Sequence, residues 1–287
     1  MGGGPSRASS AFSSAGRSNR PNIDHLQYLG SIGPLALAGA GLARFSDFII
    51  PKKPWLQSSL CAGLLLVLGM ASWQRTWAYE SQETLWTDTL AKNPNSFMGH
   101  CTLGVVLFEK GQVDEAVAQY QKALEINPNY LAAHYNLGNA LFRKGQQDEA
   151  IAEYQKALEI NPNDADAHIN LGNALFQKEE LEEAVGQFQK ALEINPNDAE
   201  AHYDLGNALF QKGQLDEAVA QFQKALEIDP NSFATHYNLG VALFQKGQLD
   251  EAIMQFQEVL RLKPDFSPAQ DTLAKVQALV RQREGNE

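Results

Sequence analysis

From residue 95 onward, two kinds of apolar stretch alternate along the chain. Residues 133–144, AHYNLGNALFRK, and residues 148–160, DEAIAEYQKALEI, both place apolar side chains at the three- and four-residue spacing of a helix. Gly145 separates the two stretches, and the sequence Asn-Pro-Asn closes the second one. The pattern therefore predicts a pair of helices, A and B, joined by short turns.

This helix pair recurs at a fixed length. The closing prolines are spaced 34 residues apart, at Pro94, Pro128, Pro162, Pro196, Pro230 and Pro264. Aligned on these prolines, five full units occupy residues 97–130, 131–164, 165–198, 199–232 and 233–266. A period of this length indicates a solenoid, in which each unit buries its apolar face by stacking on its neighbours. We predict an all-α fold.

Three further positions are constant in every unit. Helix A contains a glycine, which would weaken an isolated helix and therefore implies close approach by helix B. Helix B contains an alanine, which we take as the counterpart of that glycine, and an aromatic residue further on. The glycines are Gly104, Gly138, Gly172, Gly206 and Gly240; the alanines are Ala116, Ala150, Ala184, Ala218 and Ala252; the aromatic residues are Tyr120, Tyr154, Phe188, Phe222 and Phe256.

These small, aromatic and proline positions resemble the tetratricopeptide-repeat (TPR) family over about residues 95–266, although histidine replaces the bulky aromatic residue often found early in helix A. The resemblance implies a right-handed TPR superhelix of five full repeats. Residues 79–94 resemble a lone helix B, a half-repeat with Trp86 at the aromatic position. Residues 267–287 are predicted to form a capping helix and tail that turn Gln270, Lys275 and Arg281 toward water.

The N-terminal part of the chain has a different composition. Residues 1–22 are rich in Gly and Ser and are predicted to be disordered. Residues 23–78 are predicted to be a membrane region, in which the uncharged residues 55–73 are long enough to span a bilayer. Residues 26–43 are a second candidate span, so the region is a single span or a hairpin. A buried core helix is the alternative for 55–73.

The basic residues near these spans bear on topology. Arg44, Lys52 and Lys53 between the spans favour a cytoplasmic connection, which would place the repeats on the periplasmic or extracytoplasmic side. Arg7, Arg17 and Arg20 favour the opposite orientation for a hairpin. The predicted localisation is therefore the membrane, with the repeats favoured on the extracytoplasmic side.

Charge and motif content limit the function classes. The net charge is −11, and residues 1–80 contribute +4, which leaves −15 for the remainder. Such an acidic region lacks the basic stripe that nucleic acid requires, so the predicted partners are a protein or peptide and a membrane. The sequence contains no phosphate-binding loop, nucleophile elbow or zinc-protease motif. We predict no catalytic residue, cofactor or metal site, and we interpret the recurring His100, His134, His168, His202 and His236 as packing residues.

The candidate binding site is a row of amides and aromatic rings on helix A. Asparagine amides both donate and accept, so they can pair with a peptide backbone of any sequence. The row resembles the asparagine ladder in the TPR domain of the O-linked N-acetylglucosamine transferases, which implies a grip on extended polypeptide. The alternative is that these residues are simply solvated. The predicted residues are Asn136, Asn139, Asn170, Asn173, Asp204, Asn207 and Asn238, with Tyr135, Tyr203 and Tyr237.

Two functions agree with these features. The first is a membrane-anchored, non-enzymatic TPR scaffold that binds protein or extended peptide in its concave groove. The second follows from a resemblance of about residues 24–100 to the C-terminal end of multi-span O-mannosyltransferase-like glycosyltransferases, whose TPRs would select the acceptor protein. The catalytic region of that family has no counterpart in this sequence. Oligomeric state is not predicted.

Overall fold

The structure is a computed structural model that describes residues 81–284, together with residues 63, 66, 67 and 70. The chain divides into two compact units, Met1–Pro94 and Asn95–Glu287. Within residues 81–284 the secondary structure is all α-helical, as predicted. The twelve helices are α1 Gln82–Lys92, α2 Phe97–Glu109, α3 Val113–Ile126, α4 Leu131–Arg143, α5 Gln147–Ile160, α6 Ala165–Gln177, α7 Leu181–Ile194, α8 Ala199–Gln211, α9 Leu215–Ile228, α10 Phe233–Gln245, α11 Leu249–Leu262 and α12 Ser267–Glu284.

Helix α1 belongs to the first unit. It begins at a capping box, in which the Ser81 hydroxyl accepts from the backbone N–H of Thr84 at 3.2 Å. The Thr84 hydroxyl in turn accepts from the backbone N–H of Ser81 at 3.2 Å. This reciprocal pairing satisfies donors that the first turn of a helix leaves free.

The second unit stacks five helix pairs, α2–α3 to α10–α11, followed by α12. Each A helix contacts the B helix of its own repeat, and each B helix contacts the A helix that follows. Successive A helices also contact one another, and they do so more extensively than successive B helices. The A helices therefore line the inner face of the stack, and the solenoid of five repeats with a C-terminal helix is confirmed.

The turn from A to B needs a left-handed backbone. Glycine provides it in four repeats, with φ between 78° and 81° at Gly111, Gly145, Gly213 and Gly247. The third repeat has Glu179 at the same point, with φ of 63°. A side chain in this region is strained by about 1 kcal/mol relative to glycine. This junction is therefore less favourable locally than its four counterparts.

The helix A glycines lie directly beneath the aromatic rings of helix B. A Cβ built on any of these glycines would be 2.5–2.8 Å from the nearest ring carbon, at Tyr120, Tyr154, Phe188, Phe222 or Phe256 of the same repeat. These five rings are fully buried. The predicted close approach is confirmed, but its assigned partner was wrong. The aromatic ring, and not the alanine of helix B, occupies the space that the glycine leaves open.

The recurring histidines lie on helix A, and their ring nitrogens face helix B and the turn that precedes helix A. Their Nδ1 atoms lie 2.6–2.8 Å from a side-chain oxygen on helix B. In His134, His168, His202 and His236, Nε2 lies 2.8–3.1 Å from the carbonyl oxygen of the proline that precedes helix A. The packing role is confirmed. On α12, Gln270 at the equivalent position donates to the Pro264 carbonyl at 2.8 Å.

Helix α12 closes the C-terminal end of the stack against α11. Ala269 and Val276 are fully buried. Gln270, Lys275 and Arg281 are exposed, as the amphipathic pattern predicts.

The predicted tail and both candidate membrane spans lie outside the described residues, apart from four positions. Gly63, Leu66, Val67 and Met70 are helical, and the last three are 62–64% exposed. Among the residues that the structure describes, no helix combines the length and apolarity needed to cross a membrane.

Candidate functional site

The predicted site residues all lie on A helices, and hydrogen bonds join several of them across repeat boundaries. Nine of the ten are partly exposed, whereas Asp204 is buried at 6% exposure. These bonds join residues 31 and 35 positions apart in the sequence. The predicted row is therefore continuous in space between the second and third repeats and between the fourth and fifth repeats.

The bonds follow one scheme at two junctions. Asn170 donates from Nδ2 to the Tyr135 hydroxyl at 2.9 Å and to Asn139 Oδ1 at 3.1 Å. Two repeats later, Asn238 donates from Nδ2 to the Tyr203 hydroxyl at 3.1 Å and to Asn207 Oδ1 at 2.7 Å. An amide nitrogen carries two hydrogens, so both hydrogens are used within the protein.

Asn139 has a further contact that fixes its orientation. The Tyr154 hydroxyl donates to Asn139 Oδ1 at 2.7 Å, so this oxygen accepts two hydrogen bonds. In the three later repeats phenylalanine occupies the position of Tyr154 and provides no such donor. In the first junction, Asn136 Nδ2 is 3.7 Å from the Cys101 sulfur, a weak contact. Burial raises the pKa of the Cys101 thiol.

Other polar atoms in the row remain available. Asn170 Oδ1 makes no hydrogen bond to the residues that the structure describes, whereas the Asn139 side chain also hydrogen-bonds to the Tyr135 hydroxyl. Asn173 makes no such bond through its side chain. The row therefore presents both an acceptor and a donor to a bound chain, while its other amide atoms connect the repeats.

Acidic side chains approach the row around the third repeat. Burial and the charges of Asp164 and Asp198 raise the pKa of the Asp166 carboxyl. Burial, with a further contribution from Asp166, raises the pKa of the Tyr135 phenol to about 12. Tyr135 therefore remains a neutral hydroxyl at physiological pH, able to accept from Asn170.

Aromatic clusters lie at both ends of the stack, and we did not predict them. Near the N-terminal end, the Phe97 and Tyr130 rings meet edge to face at 4.9 Å. Near the C-terminal end, the Phe266 ring meets Tyr237 at 5.3 Å and Phe233 at 5.5 Å. Phe97 and Phe233 are the first residues of their A helices, at positions where the middle repeats have Leu or Ala. That difference between repeats was visible in the alignment.

Two cations of the stack lie against aromatic rings. The Arg143 guanidinium lies 5.1 Å from the centre of the Phe108 ring, and the Lys263 ammonium lies 4.6 Å from that of Phe233. Within residues 81–284, no group of three or more His, Cys, Asp or Glu side chains is placed to hold a metal ion.

Comparison with known families decides the identity of the repeats. The model described as TPR repeat matches four overlapping segments, 104–145, 138–179, 172–213 and 206–247, and the tetratricopeptide repeat model matches 233–266. The chain belongs to the tetratricopeptide-repeat family. The matches include no residue before 104, so they give no support to the glycosyltransferase resemblance of residues 24–100.

Solved structures of TPR proteins resemble this chain over most of their own length. One is YrrB, described as a TPR protein with an unusual peptide-binding site, with 29% identity and a TM-score of 0.58 over 65% of this chain and 96% of YrrB. Another is MamA, with 28% identity and a TM-score of 0.55 over 58% of this chain and 97% of MamA. MamA from Desulfovibrio magneticus RS-1, at 24% identity and a TM-score of 0.57 over 59% of this chain and 96% of that one, shows the shared fold. No curated protein sequence is significantly similar to this chain.

Proposed function

We propose that the inner face of the A helices binds an extended segment of a partner protein, and that this chain is a scaffold without catalytic activity. The observation that carries the proposal is the bonded row at Tyr135, Asn139 and Asn170. Its internal bonds fix the amide planes before any partner arrives, which lowers the entropic cost of binding. The free donor and acceptor of the row match the alternating groups of a peptide backbone.

Similarity to TPR proteins supports this proposal. YrrB is described as a TPR protein with an unusual peptide-binding site, and this chain is 29% identical to it in a match that covers 96% of YrrB. The tyrosines beside the amides add rigid aromatic surface, which is typical of residues that contribute strongly to binding. The site would therefore hold the partner through its backbone and through a few apolar side chains.

Binding should depend on the free amides more than on the bonded ones. We expect Asn136→Ala with Asn173→Ala to weaken binding about tenfold, since two hydrogen bonds of about 0.5–1.5 kcal/mol each are lost. A peptide selected from a random library on the intact chain serves as the ligand, and calorimetric titration measures the affinity. Circular dichroism checks that the variant keeps its helical content.

A matched control changes exposed amides on the outer helices. Gln155→Ala with Gln189→Ala removes two exposed side chains of α5 and α7, and the peptide affinity should not change. Equal weakening by both double variants would show that the selected peptide binds elsewhere. Full affinity in the Asn136 and Asn173 variant would remove the row from the proposed site.

We further propose that residues 55–73 anchor the scaffold in a membrane. Support comes from the uncharged sequence and from Leu66, Val67 and Met70, which are helical and 62–64% exposed. We expect the full chain to remain in the membrane pellet after an alkaline wash, and Leu66→Arg with Val67→Arg to release it because charge in a bilayer is costly. Leu279→Arg, at a 43% exposed apolar residue of α12, is the control and should stay in the pellet. Release of the unmodified chain would contradict the anchor.

A further inference from the structure

The histidine of the second repeat differs from its four counterparts in its partner on helix B. In four repeats the Nδ1 atom of the histidine lies beside a glutamine side chain, whereas His134 lies beside a glutamate, Glu153. The glutamine partners are Gln119, Gln187, Gln221 and Gln255. The substitution changes the number of protons that the site must hold.

His134 faces an acceptor on each side of its ring. Its Nε2 is 2.8 Å from the Pro128 carbonyl oxygen, and its Nδ1 is 2.6 Å from Glu153 Oε2. A neutral imidazole has one N–H and can donate to one of these oxygens. A glutamine amide can turn its NH₂ toward Nδ1, so His168 with Gln187 is satisfied in the neutral form. An ionised carboxylate has no hydrogen to offer.

Lys156 decides where the additional proton resides. Its ammonium is 2.8 Å from Glu153 Oε1, while His134 contacts the other oxygen of the same carboxylate. A lysine at this distance favours the ionised carboxylate. The His134 and Glu153 side chains are 8% and 12% exposed, so water screens their attraction weakly.

We propose that His134 is held as an imidazolium between Glu153 and the Pro128 carbonyl, which makes the contact between α4 and α5 in the second repeat depend on protonation.

The charged groups near His134 are identified from the equivalent position in the third repeat, where Glu159, Lys190 and Glu193 line a cavity of about 600 Å³ beside His168. The equivalent residues one repeat earlier are Glu125 of α3 and Lys156 and Glu159 of α5. On the opposite side of α4, α2 brings the Cys101 thiol to Asn136, and α6 brings Asp166 near Tyr135.

The sign of the pH dependence follows from the proton count. A histidine in an unfolded chain releases its proton near pH 6.5, whereas the proposed imidazolium of His134 keeps its proton because both ring nitrogens face oxygen acceptors. Folding therefore takes up a proton above that pH, and stability is highest below it and falls as pH rises. The unfolding equilibrium constant should increase by up to tenfold per pH unit until the folded state also releases the proton. Because α4 also carries Tyr135 and Asn139, this contact between α4 and α5 helps to hold part of the amide row in place.

The test compares the intact chain with Glu153→Gln, which gives the second repeat the partner found in the others. Urea unfolding of both proteins is measured from about pH 6 to about pH 9. Titrations elsewhere in the chain are common to both proteins and cancel in the difference. We expect the intact chain to lose stability relative to the variant as pH rises. Parallel pH profiles would overturn the proposal.

Two further measurements test the site directly. In nitrogen-edited NMR spectra at neutral pH, the His134 ring should show protons on both nitrogens, whereas the His168 ring should show one. A single ring proton on His134 would overturn the proposal. Gln187→Glu builds the same arrangement in the third repeat, where Lys190 occupies the position of Lys156. It should add a second pH-dependent loss of stability, and this test stands even if Glu153→Gln unfolds.

Discussion

Replacing Phe222 by alanine should lower the free energy of unfolding of the fourth repeat by about 3–5 kcal/mol. The ring is fully buried between α8 and α9, over Gly206 and 6.0 Å from the centre of the Tyr203 ring. Its removal leaves a cavity that the two helices cannot close without separating from their neighbours. A loss of this size is a large fraction of the stability of a single repeat and its interfaces.

The loss should also be localised. Stability in a solenoid is a sum of repeat and nearest-neighbour terms. Hydrogen exchange should therefore accelerate in α8 and α9 and in the helices beside them, and remain unchanged in α2 and α3. Gln223→Ala, which removes an exposed side chain of the same helix, should change stability by less than about 0.5 kcal/mol. A uniform acceleration along the chain would contradict nearest-neighbour coupling.

The repeat architecture could be predicted because its determinants are local and repeated. The glycine turns and the Asn-Pro-Asn closures mark helix ends, and the observed A helices at Phe97 and Phe233 begin where the predicted units begin. Glu179 is the exception among the turns. It adopts the backbone of a glycine because the flanking helices fix the turn. A single unfavourable residue does not displace the boundary when its neighbours determine it.

Contacts between helices were harder to predict. Gly138 was assigned to Ala150 because both positions are small, but the structure places the Tyr154 ring on Gly138. Periodicity shows which residues share a face of one helix. It does not give the register between two helices, and that register decides whether a gap receives a small residue or a ring.

The amide row shows the same limit at the repeat boundaries. Asn170 was predicted to face a ligand, and its position on the inner face agrees with this. The structure shows that both hydrogens of its amide instead donate to Tyr135 and Asn139 of the preceding repeat. In an array of near-identical repeats, a residue at a fixed offset can face a partner or the next copy of itself. The sequence does not separate these two arrangements, whereas hydrogen-bond distances do.

Adding one methyl group at Gly138 should also destabilise the protein, by about 1–3 kcal/mol through overpacking. The alanine Cβ would lie 2.6 Å from Tyr154 Cε1 and 2.8 Å from Cδ1. The ring cannot move aside easily because it is buried and its hydroxyl donates to Asn139 at 2.7 Å. Alanine would normally favour a helix over glycine by about 1 kcal/mol, so the clash must exceed that gain.

Two matched substitutions separate the clash from helix propensity. Gly186→Ala on α7 places its Cβ where no atom lies within 4 Å, so urea unfolding should show a gain of up to about 1 kcal/mol. Gly172→Ala meets Phe188 at 2.7 Å, but that ring has no hydroxyl to anchor it, so its cost should be smaller than that of Gly138→Ala. Stabilisation by all three substitutions would mean that the rings yield freely. The order predicted here instead requires that the hydrogen bond from Tyr154 to Asn139 couples the packed seam of the second repeat to the amide row on its inner face.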